Sequence, residues 1–197
     1  GNQVLNKNYL ASGAIAACRI MARTGTEDVL KQATGPTDKL CCVSTDIAAA
    51  DGERVDGVQI GLADLQVGAA VAEGDELTSD ANGKAVAATP PRIHVSGVAG
   101  AAAGAHTVAG ILATDTLLSV MALDVADATK PITDVTSQYT VTGANTIDNT
   151  GGSSSAGLLL LVTWRNQDVR VIGVAECAAA SADEIIPVRV SPRVLRA

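Results

Sequence analysis

The sequence has almost no aromatic side chains: its 197 residues include two Tyr, one Trp and no Phe. Apolar residues still make up 47% of the chain, mostly as Ala, Val, Leu and Ile. Aromatic side chains supply much of the buried area in compact domains and interfaces. A chain this poor in them therefore depends on strand pairing and on contacts with other subunits. The composition favours a component of an assembly over a free monomer.

Basic residues are also scarce, with 14 Lys and Arg against 21 Asp and Glu and a formal net charge of -7. Binding to nucleic acid needs a cluster of cations that contact phosphates and release counterions. The one basic concentration is the C-terminal set Arg189, Arg193 and Arg196. We expect no nucleic-acid partner. We interpret these arginines either as solvated charges beside the last strand or as a docking point for an acidic partner.

The cysteines, Cys18, Cys41, Cys42 and Cys177, form no CxxC pair. A disulfide between the adjacent Cys41 and Cys42 would be strained, and neighbouring residues of a strand point to opposite faces. We therefore expect small, buried, reduced thiols rather than redox or metal-binding groups. We also expect no secretory leader, and no apolar run approaches the roughly 20 residues of a membrane span. The sequence predicts synthesis in a reducing cytoplasm without a membrane stage.

Catalytic patterns are missing as well. His94 and His106 are not spaced with another His, Cys or acid as metal ligands would be. The serines at 153–155 lack the Gly-x-Ser-x-Gly pattern of a strained nucleophile turn. Acid pairs such as Asp124 with Asp127 lack the aromatic platforms that a sugar site normally adds to its carboxylates. We therefore predict a protein that is not an enzyme, with no catalytic residues, no metal ligands and no cofactor.

Short apolar runs between turn residues cover most of the chain, which predicts an all-β fold. We prefer a strand over a short helix for residues 28–32. The clearest segment is residues 76–88, where Asn82-Gly83 predicts a hairpin turn with positive φ at both central residues. We interpret the acids around this turn, among them Asp75 and Asp80, as turn residues rather than calcium ligands, because the closing Glu of an EF-hand loop is absent.

The composition changes at Pro90-Pro91. Residues 92–164 hold few charges and much Thr, Val, Gly and Ala, and their short strand-like runs predict a small β-sandwich. Polar linkers are expected at 124–134 and, in flexible form, at 149–155. The expected strands of this insert are 93–98, 106–111, 117–123, 138–142 and 158–164. Strand-like runs resume at 169–175 and 185–190, so a base domain of residues 12–91 and 165–197 is interrupted by the insert 92–164.

The first ten residues are too short to form a core, yet they hold Val4, Leu5, Tyr9 and Leu10. These side chains would be exposed unless a partner covered them. We therefore predict an N-terminal arm, residues 1–11, that contacts another subunit or a larger partner. The alternative is a loose terminus, which is common at chain ends.

Two stretches resemble the small capsid cement proteins of tailed bacteriophages, also called head decoration proteins. They are residues 67–86 (VGAAVAEGDELTSDANGKAV) and 171–188 (VIGVAECAAASADEIIPV). In that family the two stretches lie close in sequence, whereas here residues 92–164 intervene. The insert is similar to the β-rich outer domain carried by some phage head proteins. Cys177 departs from the family pattern, which has an aliphatic residue there.

The resemblance implies a small β-barrel-like base on the outer surface of the assembled capsid, usually as a trimer, with the inserted β-sandwich projecting outward. Its expected partners are the major capsid protein and further copies of itself. The alternative is a head-surface adhesin whose insert binds carbohydrate or a host surface. An adhesin of this kind needs exposed aromatic residues, but Tyr139 and Trp164 fall in or at the ends of expected strands, as core residues do.

Overall fold

The protein is all-β, with 53% of its residues in strands and 2% in helix. The computed structural model describes residues 3–127, 129–151 and 153–196, with only the backbone of Gln3 and Val4. The strands in these ranges are β1 (Gln3–Ala11), β2 (Ile20–Arg23), β3 (Val29–Gln32), β4 (Leu40–Ser44), β5 (Arg54–Gln66), β6 (Glu76–Ser79), β7 (Ala85–Ala87), β8 (Ile93–Ala99), β9 (Gly104–Thr107), β10 (Thr116–Leu123), β11 (Thr133–Asp134), β12 (Tyr139–Gly143), β13 (Thr146–Asn149), β14 (Leu159–Arg165), β15 (Val169–Ala175) and β16 (Ile185–Leu195). A single 3-10 turn, Thr136–Gln138, precedes β12.

The chain forms two compact units. The first runs to Pro90 and resumes from Asp168 to Arg196, and the second is Pro91–Gln167. We call the first the base and the second the insert.

The base contains a closed five-stranded barrel in the order β1-β3-β2-β4-β5, with β5 pairing back onto β1. β5 alternates buried residues such as Val55 with exposed residues such as Asp56, the period-two pattern of a strand with one face in the core. β4 is buried at every position. The barrel core is small and includes Tyr9, Met21 and Leu30.

An open sheet continues from the barrel through β5, in the order β5-β16-β15-β6-β7. The β15–β16 ladder shifts register between Val171 and Gly173. At Gly173 the two backbones lie so close that an added Cβ would stand 2.2 Å from the Arg189 carbonyl oxygen. Leu65, Leu77 and Ile172 are among the residues buried in the aliphatic core of this sheet.

The insert is a small two-sheet sandwich. One sheet has the order β11-β10-β14-β8 and the other has the order β12-β13-β9. Val120, Leu160 and Trp164 of the first sheet share one core with Tyr139 and Ile147 of the second. The expected β-sandwich is therefore present, although its expected 106–111 strand is shifted to Gly104–Thr107 and β11 and β13 were not predicted.

The predicted hairpin at 76–88 is confirmed, because β6 and β7 pair antiparallel. Its turn differs from the expected one: Ser79 pairs with Ala85, which leaves a loop of residues 80–84. In this loop Gly83 has a positive φ of 70° and Asn82 does not. The Asp80 carboxylate closes the loop by accepting hydrogen bonds from the backbone N–H groups of Asn82 (2.7 Å) and Lys84 (2.8 Å).

The predicted N-terminal arm differs from the structure. The described residues 3–11 form β1, one wall of the barrel, paired antiparallel with β5 and parallel with β3. The alternating burial of Tyr9 and Ala11 explains this position, because both side chains enter the barrel core.

The linker expected at 149–155 is not loose at its ends. Asn149 and Ser155 are both buried; the Asn149 amide donates to the Ser153 carbonyl oxygen within the linker, and the Ser155 hydroxyl donates to that of Ala101.

Candidate partner-contact surface

The four N-terminal residues predicted to contact a partner do not share one environment. Leu5 is 44% exposed and lies directly opposite Ile60, which is 50% exposed, on the β1–β5 ladder. Leu10 is also exposed. Tyr9 is only 1% exposed, so the expectation that a partner must cover it is wrong: its own barrel core buries it. The side chain of Val4 lies outside the described residues.

The C-terminal arginines are distributed along β16 and beyond rather than clustered. Arg189 Nε lies 3.3 Å from a carboxylate oxygen of Glu176, and Arg193 forms an ion pair with Glu76. Arg196 is exposed. Two of the three predicted docking cations are therefore paired with carboxylates of the same chain.

A different set of cations converges on the barrel. Arg23 at the end of β2, Lys31 on β3 and Lys39 just before β4 line an open depression of about 450 Å³. The Arg23 backbone N–H donates to the Lys39 carbonyl oxygen at 3.0 Å, which brings these two residues side by side. Lys31 lies 3.3 Å from Asp38, but no ion pair of Arg23 or Lys39 occurs within the described part of the chain. These two exposed cations remain available to an acidic group.

Asp38 is held as a carboxylate beside these cations. Burial by itself would raise the pKa of Asp38, but hydrogen bonds from Thr34 and Lys31 outweigh it and lower that pKa. The Thr34 backbone N–H donates to Asp38 at 2.7 Å and the Thr34 hydroxyl donates at 3.0 Å. Asp38 therefore neutralises Lys31 and leaves the net positive charge of the depression to its neighbours.

A second depression, of about 240 Å³, is lined by Arg23 together with Leu40, Cys41, Gln59, Ile60 and Pro192. Ile60 joins it to Leu5, its cross-strand partner. Arg23, Lys39, Leu5, Ile60 and Pro192 thus form one continuous surface with a cationic half and an apolar half, which we call the Arg23 surface. A surface of this kind suits a protein partner with exposed acids beside apolar side chains.

A β-bulge lies at this second depression, where Cys41 is one of the lining residues. Met21 pairs with Cys42 and Ala22 with Leu40, so Cys41 is the extra residue on β4. The expectation that Cys41 and Cys42 point to opposite faces is therefore wrong: both thiols lie in the barrel core. All four cysteines are free; Cys18, Cys41 and Cys42 are buried as expected, and Cys177 is half-buried.

The two adjacent thiols influence each other. A hydrogen bond from the Cys42 thiol lowers the pKa of Cys41 to about 6 against the opposing effect of burial, with further lowering by Arg23. The same hydrogen bond raises the pKa of Cys42, and burial raises it further. Burial also raises the pKa of Tyr9 to about 12, and the Tyr9 hydroxyl accepts a hydrogen bond from Gln59. Cys41 is therefore the more acidic of the two thiols.

Sequence reasoning missed the Arg23 surface although a signal was present. Arg23, Lys31 and Lys39 recur at intervals of eight residues, and β2 pairs with both β3 and β4. Cations at matching positions of successive hairpin strands meet at one end of the sheet. Ile60 gave no comparable signal, because its exposure depends on the closure of β5 onto β1.

A buried polar cluster surrounds Ser155 in the insert. The Tyr139 hydroxyl donates to Ser155 Oγ at 3.0 Å, and the Ser155 hydroxyl donates to the Ala101 carbonyl oxygen at 3.0 Å. His106 Nε2 lies 3.2 Å from Ser155 Oγ and accepts from the Ala101 N–H, while Nδ1 lies 2.9 Å from the Gly104 carbonyl oxygen. With its proton on Nδ1, the imidazole donates to the Gly104 carbonyl oxygen and accepts from the Ala101 N–H, whereas the contact between Nε2 and Ser155 Oγ has no proton because that hydroxyl donates to Ala101.

This cluster has the distance of a nucleophile and base pair but not their accessibility. Ser155 and His106 are both buried. The serine oxygen is also held from both sides by Tyr139 and Ala101. The arrangement therefore connects residues 101–106 to β12 and to Ser155. Its role is structural.

His94, on β8, contacts Trp164 and Asn166. It stacks on Trp164 with ring centroids 5.2 Å apart, and its Nε2 lies 2.6 Å from Asn166 Oδ1. Within the described ranges, no group of three or more His, Cys, Asp or Glu side chains is placed to hold a metal ion. No helix in the same ranges combines the length and the apolar character needed to cross a bilayer.

No known protein-family model, curated protein or solved structure matches this chain.

Proposed function

We propose that this chain is a non-enzymatic capsid cement protein that binds the outside of the assembled head of a tailed bacteriophage and stabilises it. Its base contacts the major capsid protein and further copies of the chain, with a trimer as the expected form. The chain is made in the host cytoplasm and ends on the outer surface of the virion.

The proposal depends mainly on where the two cement-like stretches, residues 67–86 and 171–188, lie in the base. They are far apart in sequence but are hydrogen-bonded neighbours. Gly173 pairs with Leu77 across the β15–β6 ladder. The Val71 N–H donates to Ala179 O at 3.0 Å, and the Asp183 N–H donates to Val67 O at 2.8 Å. The two stretches therefore lie in one sheet of the base. Such proximity is what we expect of stretches that lie close together in sequence in the cement family.

We propose that the Arg23 surface is the contact with the shell. Its two unpaired cations stand out in a chain with a net charge of -7, so they would direct an acidic partner to this part of the base. The Leu5–Ile60 pair offers apolar surface that becomes buried when a partner binds, which favours the complex. We propose that the capsid presents a carboxylate next to apolar side chains at this position.

Cement activity then follows from mass action. A protein that binds the assembled shell and not its free subunits shifts the equilibrium toward the assembled state. A trimer joins three weak contacts through a high effective concentration. Full occupancy of the shell is therefore compatible with weak binding by each subunit.

The adhesin alternative gains no support from the insert. The two large aromatic residues of the insert, Tyr139 and Trp164, are buried in its core. The described part of the insert therefore presents no Tyr or Trp platform for a sugar.

The test uses heads of the phage that encodes this chain, assembled without it. We expect the purified protein to co-sediment with expanded heads in a saturable manner and to raise the temperature at which they release DNA. The paired substitution Arg23→Glu with Lys39→Glu should abolish co-sedimentation, because it reverses the charge of the surface. Ile60→Asp should weaken it by placing a charge in the apolar contact.

The matched control is Val125→Asp, which changes an apolar residue of the insert that is even more exposed than Ile60 (65% against 50%) and should leave binding intact. Circular dichroism should show all variants folded. If the wild-type chain neither sediments with heads nor changes their release temperature, the cement proposal is wrong. If the wild type binds but the charge-reversed variant binds equally well, the contact lies elsewhere on the base.

A further inference from the structure

The insert has an unprotected sheet edge at β8. Edge strands of soluble proteins usually carry charged residues or proline, which prevent pairing with other strands. β8 reads IHVSGVA and contains neither. Its two outermost large side chains are among the most exposed apolar residues of the described chain, Ile93 at 59% and Val95 at 67%.

The hydrogen-bond phase of β8 shows which backbone groups face outward. At one end of the β8–β14 ladder, the Gly100 N–H donates to Leu158 O at 2.8 Å, and at the other the Asn166 N–H donates to Arg92 O at 3.2 Å. Both bonds involve even-numbered residues of the β8 segment. Because antiparallel strands alternate the side on which each residue bonds, Ile93, Val95, Gly97 and Ala99 direct their N–H and C=O groups to the free edge.

The strand is complementary to itself. In an antiparallel pair of two β8 strands centred on Ser96, Ile93 lies opposite Ala99 of the other copy and Val95 lies opposite Gly97. Large side chains thus meet small ones on the exposed face. In this register, the residues whose N–H and C=O groups face the free edge lie opposite each other. Each such pair can therefore exchange two backbone hydrogen bonds.

Charge favours a second copy as the occupant. The chain has a net charge of -7, and most surfaces of two copies would repel each other. β8 has no charge, so two copies meet there without like-charge repulsion. We propose that two copies of this chain associate through β8, forming a continuous eight-stranded sheet from two four-stranded sheets around a two-fold axis at Ser96.

This association is independent of the capsid proposal, and a cross-linking experiment tests it directly. In the full chain with Cys177→Ser as background, the substitution Ser96→Cys places one thiol on the axis. Residue 96 then lies opposite residue 96 of the second copy as a non-hydrogen-bonded pair. Their Cα atoms are about 4.5 Å apart, a distance that a disulfide can span. We expect covalent dimers on non-reducing gels under mild oxidation.

The control is Ile93→Cys in the same background. It is on the same strand, but its two copies would lie roughly 20 Å apart, since they are six residues from register at ~3.3 Å each. We expect Ser96→Cys to cross-link at least about tenfold faster, as expected for thiols held at high effective concentration. Adding Val95→Lys should abolish the cross-link, and adding Val125→Lys should not.

Equal cross-linking rates for the two cysteine variants would indicate random collision and overturn the proposal. An absence of Ser96→Cys dimers up to the solubility limit, with circular dichroism showing folded protein, would overturn it too. If Val95→Lys then abolished binding to heads, the occupant of the edge would be a strand of the shell rather than a second copy.

Discussion

The Tyr9 hydroxyl lies in the barrel core, where an ionised phenol would have no water around it. Burial raises its pKa to about 12, above the ordinary value near 10. A raised pKa in the folded state contributes stability below pH 10, and that contribution is lost as the pH rises from 10 to 12. We therefore predict that the melting temperature of the wild type falls over this range more steeply than that of Tyr9→Phe.

Tyrosinate absorbance measured in parallel follows Tyr9 through the difference between the two proteins. The absorbance of the wild type minus that of Tyr9→Phe should rise only as the protein unfolds. Parallel melting curves for the two proteins from pH 9 to 12 would contradict the assignment.

Ser155 predicts a second effect at the scale of one residue. Its hydroxyl accepts from Tyr139 and donates to Ala101 inside the insert. Ser155→Ala removes both bonds and leaves buried polar groups unpaired, which costs about 1–3 kcal/mol. The control is Ser154→Ala, an exposed neighbour, which should unfold as the wild type does in urea. Equal unfolding midpoints for the two variants would show that the cluster does not stabilise the insert.

Individual side chains were the least predictable part of the molecule. Ser155 is buried among Ala101, His106 and Tyr139, which are distant in sequence. No pattern in the sequence around Ser155 indicates these partners. Tyr9 was misjudged because an apolar terminus was considered without the strand that would receive it. The burial of Tyr139 and Trp164 was predicted correctly, because large aromatic residues inside strand-like runs usually enter the core.

At the scale of elements, Gly173 allows β15 and β16 to approach closely. A Cβ at this position would lie 2.2 Å from the Arg189 carbonyl oxygen, a backbone atom that cannot rotate away. We predict that Gly173→Ala destabilises the base by at least about 2 kcal/mol through forced separation of the strands. Gly35→Ala is the control, since an added Cβ there has open space. Denaturant unfolding of both variants measures the difference, and equal stabilities would contradict this account.

Elements with a local signal were predictable, and elements that depend on distant pairing were not. The β6–β7 hairpin was found from its turn residues, although Asp80 rather than an Asn-Gly turn closes the loop. β11 has two residues, Thr133 and Asp134, and exists because Met121 and Ala122 pair with it. The bulge at Cys41 was hidden because it arises from the register between β2 and β4.

For the whole molecule, the geometry of the insert predicts that it can be removed. Ile93 and Arg165 are paired neighbours at its entrance and exit, so their Cα atoms lie about 5 Å apart. A variant lacking residues 92–164, with Pro91 joined to Arg165 by a short Gly/Ser linker, should fold and bind heads. Circular dichroism and co-sedimentation measure the two properties. A folded variant that never binds heads would place the capsid contact in the insert.

The discontinuous base has a consequence for the order of folding. β5 has its partner β16 on one side, and Gln66 pairs with Ile185 there. About 120 residues separate these strands, which corresponds to roughly 6–24 s of translation at 5–20 residues per second. All strands of the insert leave the ribosome within this interval. The insert can therefore fold on the nascent chain before the edge of β5 pairs with β16, and a chain stalled once residue 167 has left the ribosome would carry a folded insert on an incomplete base.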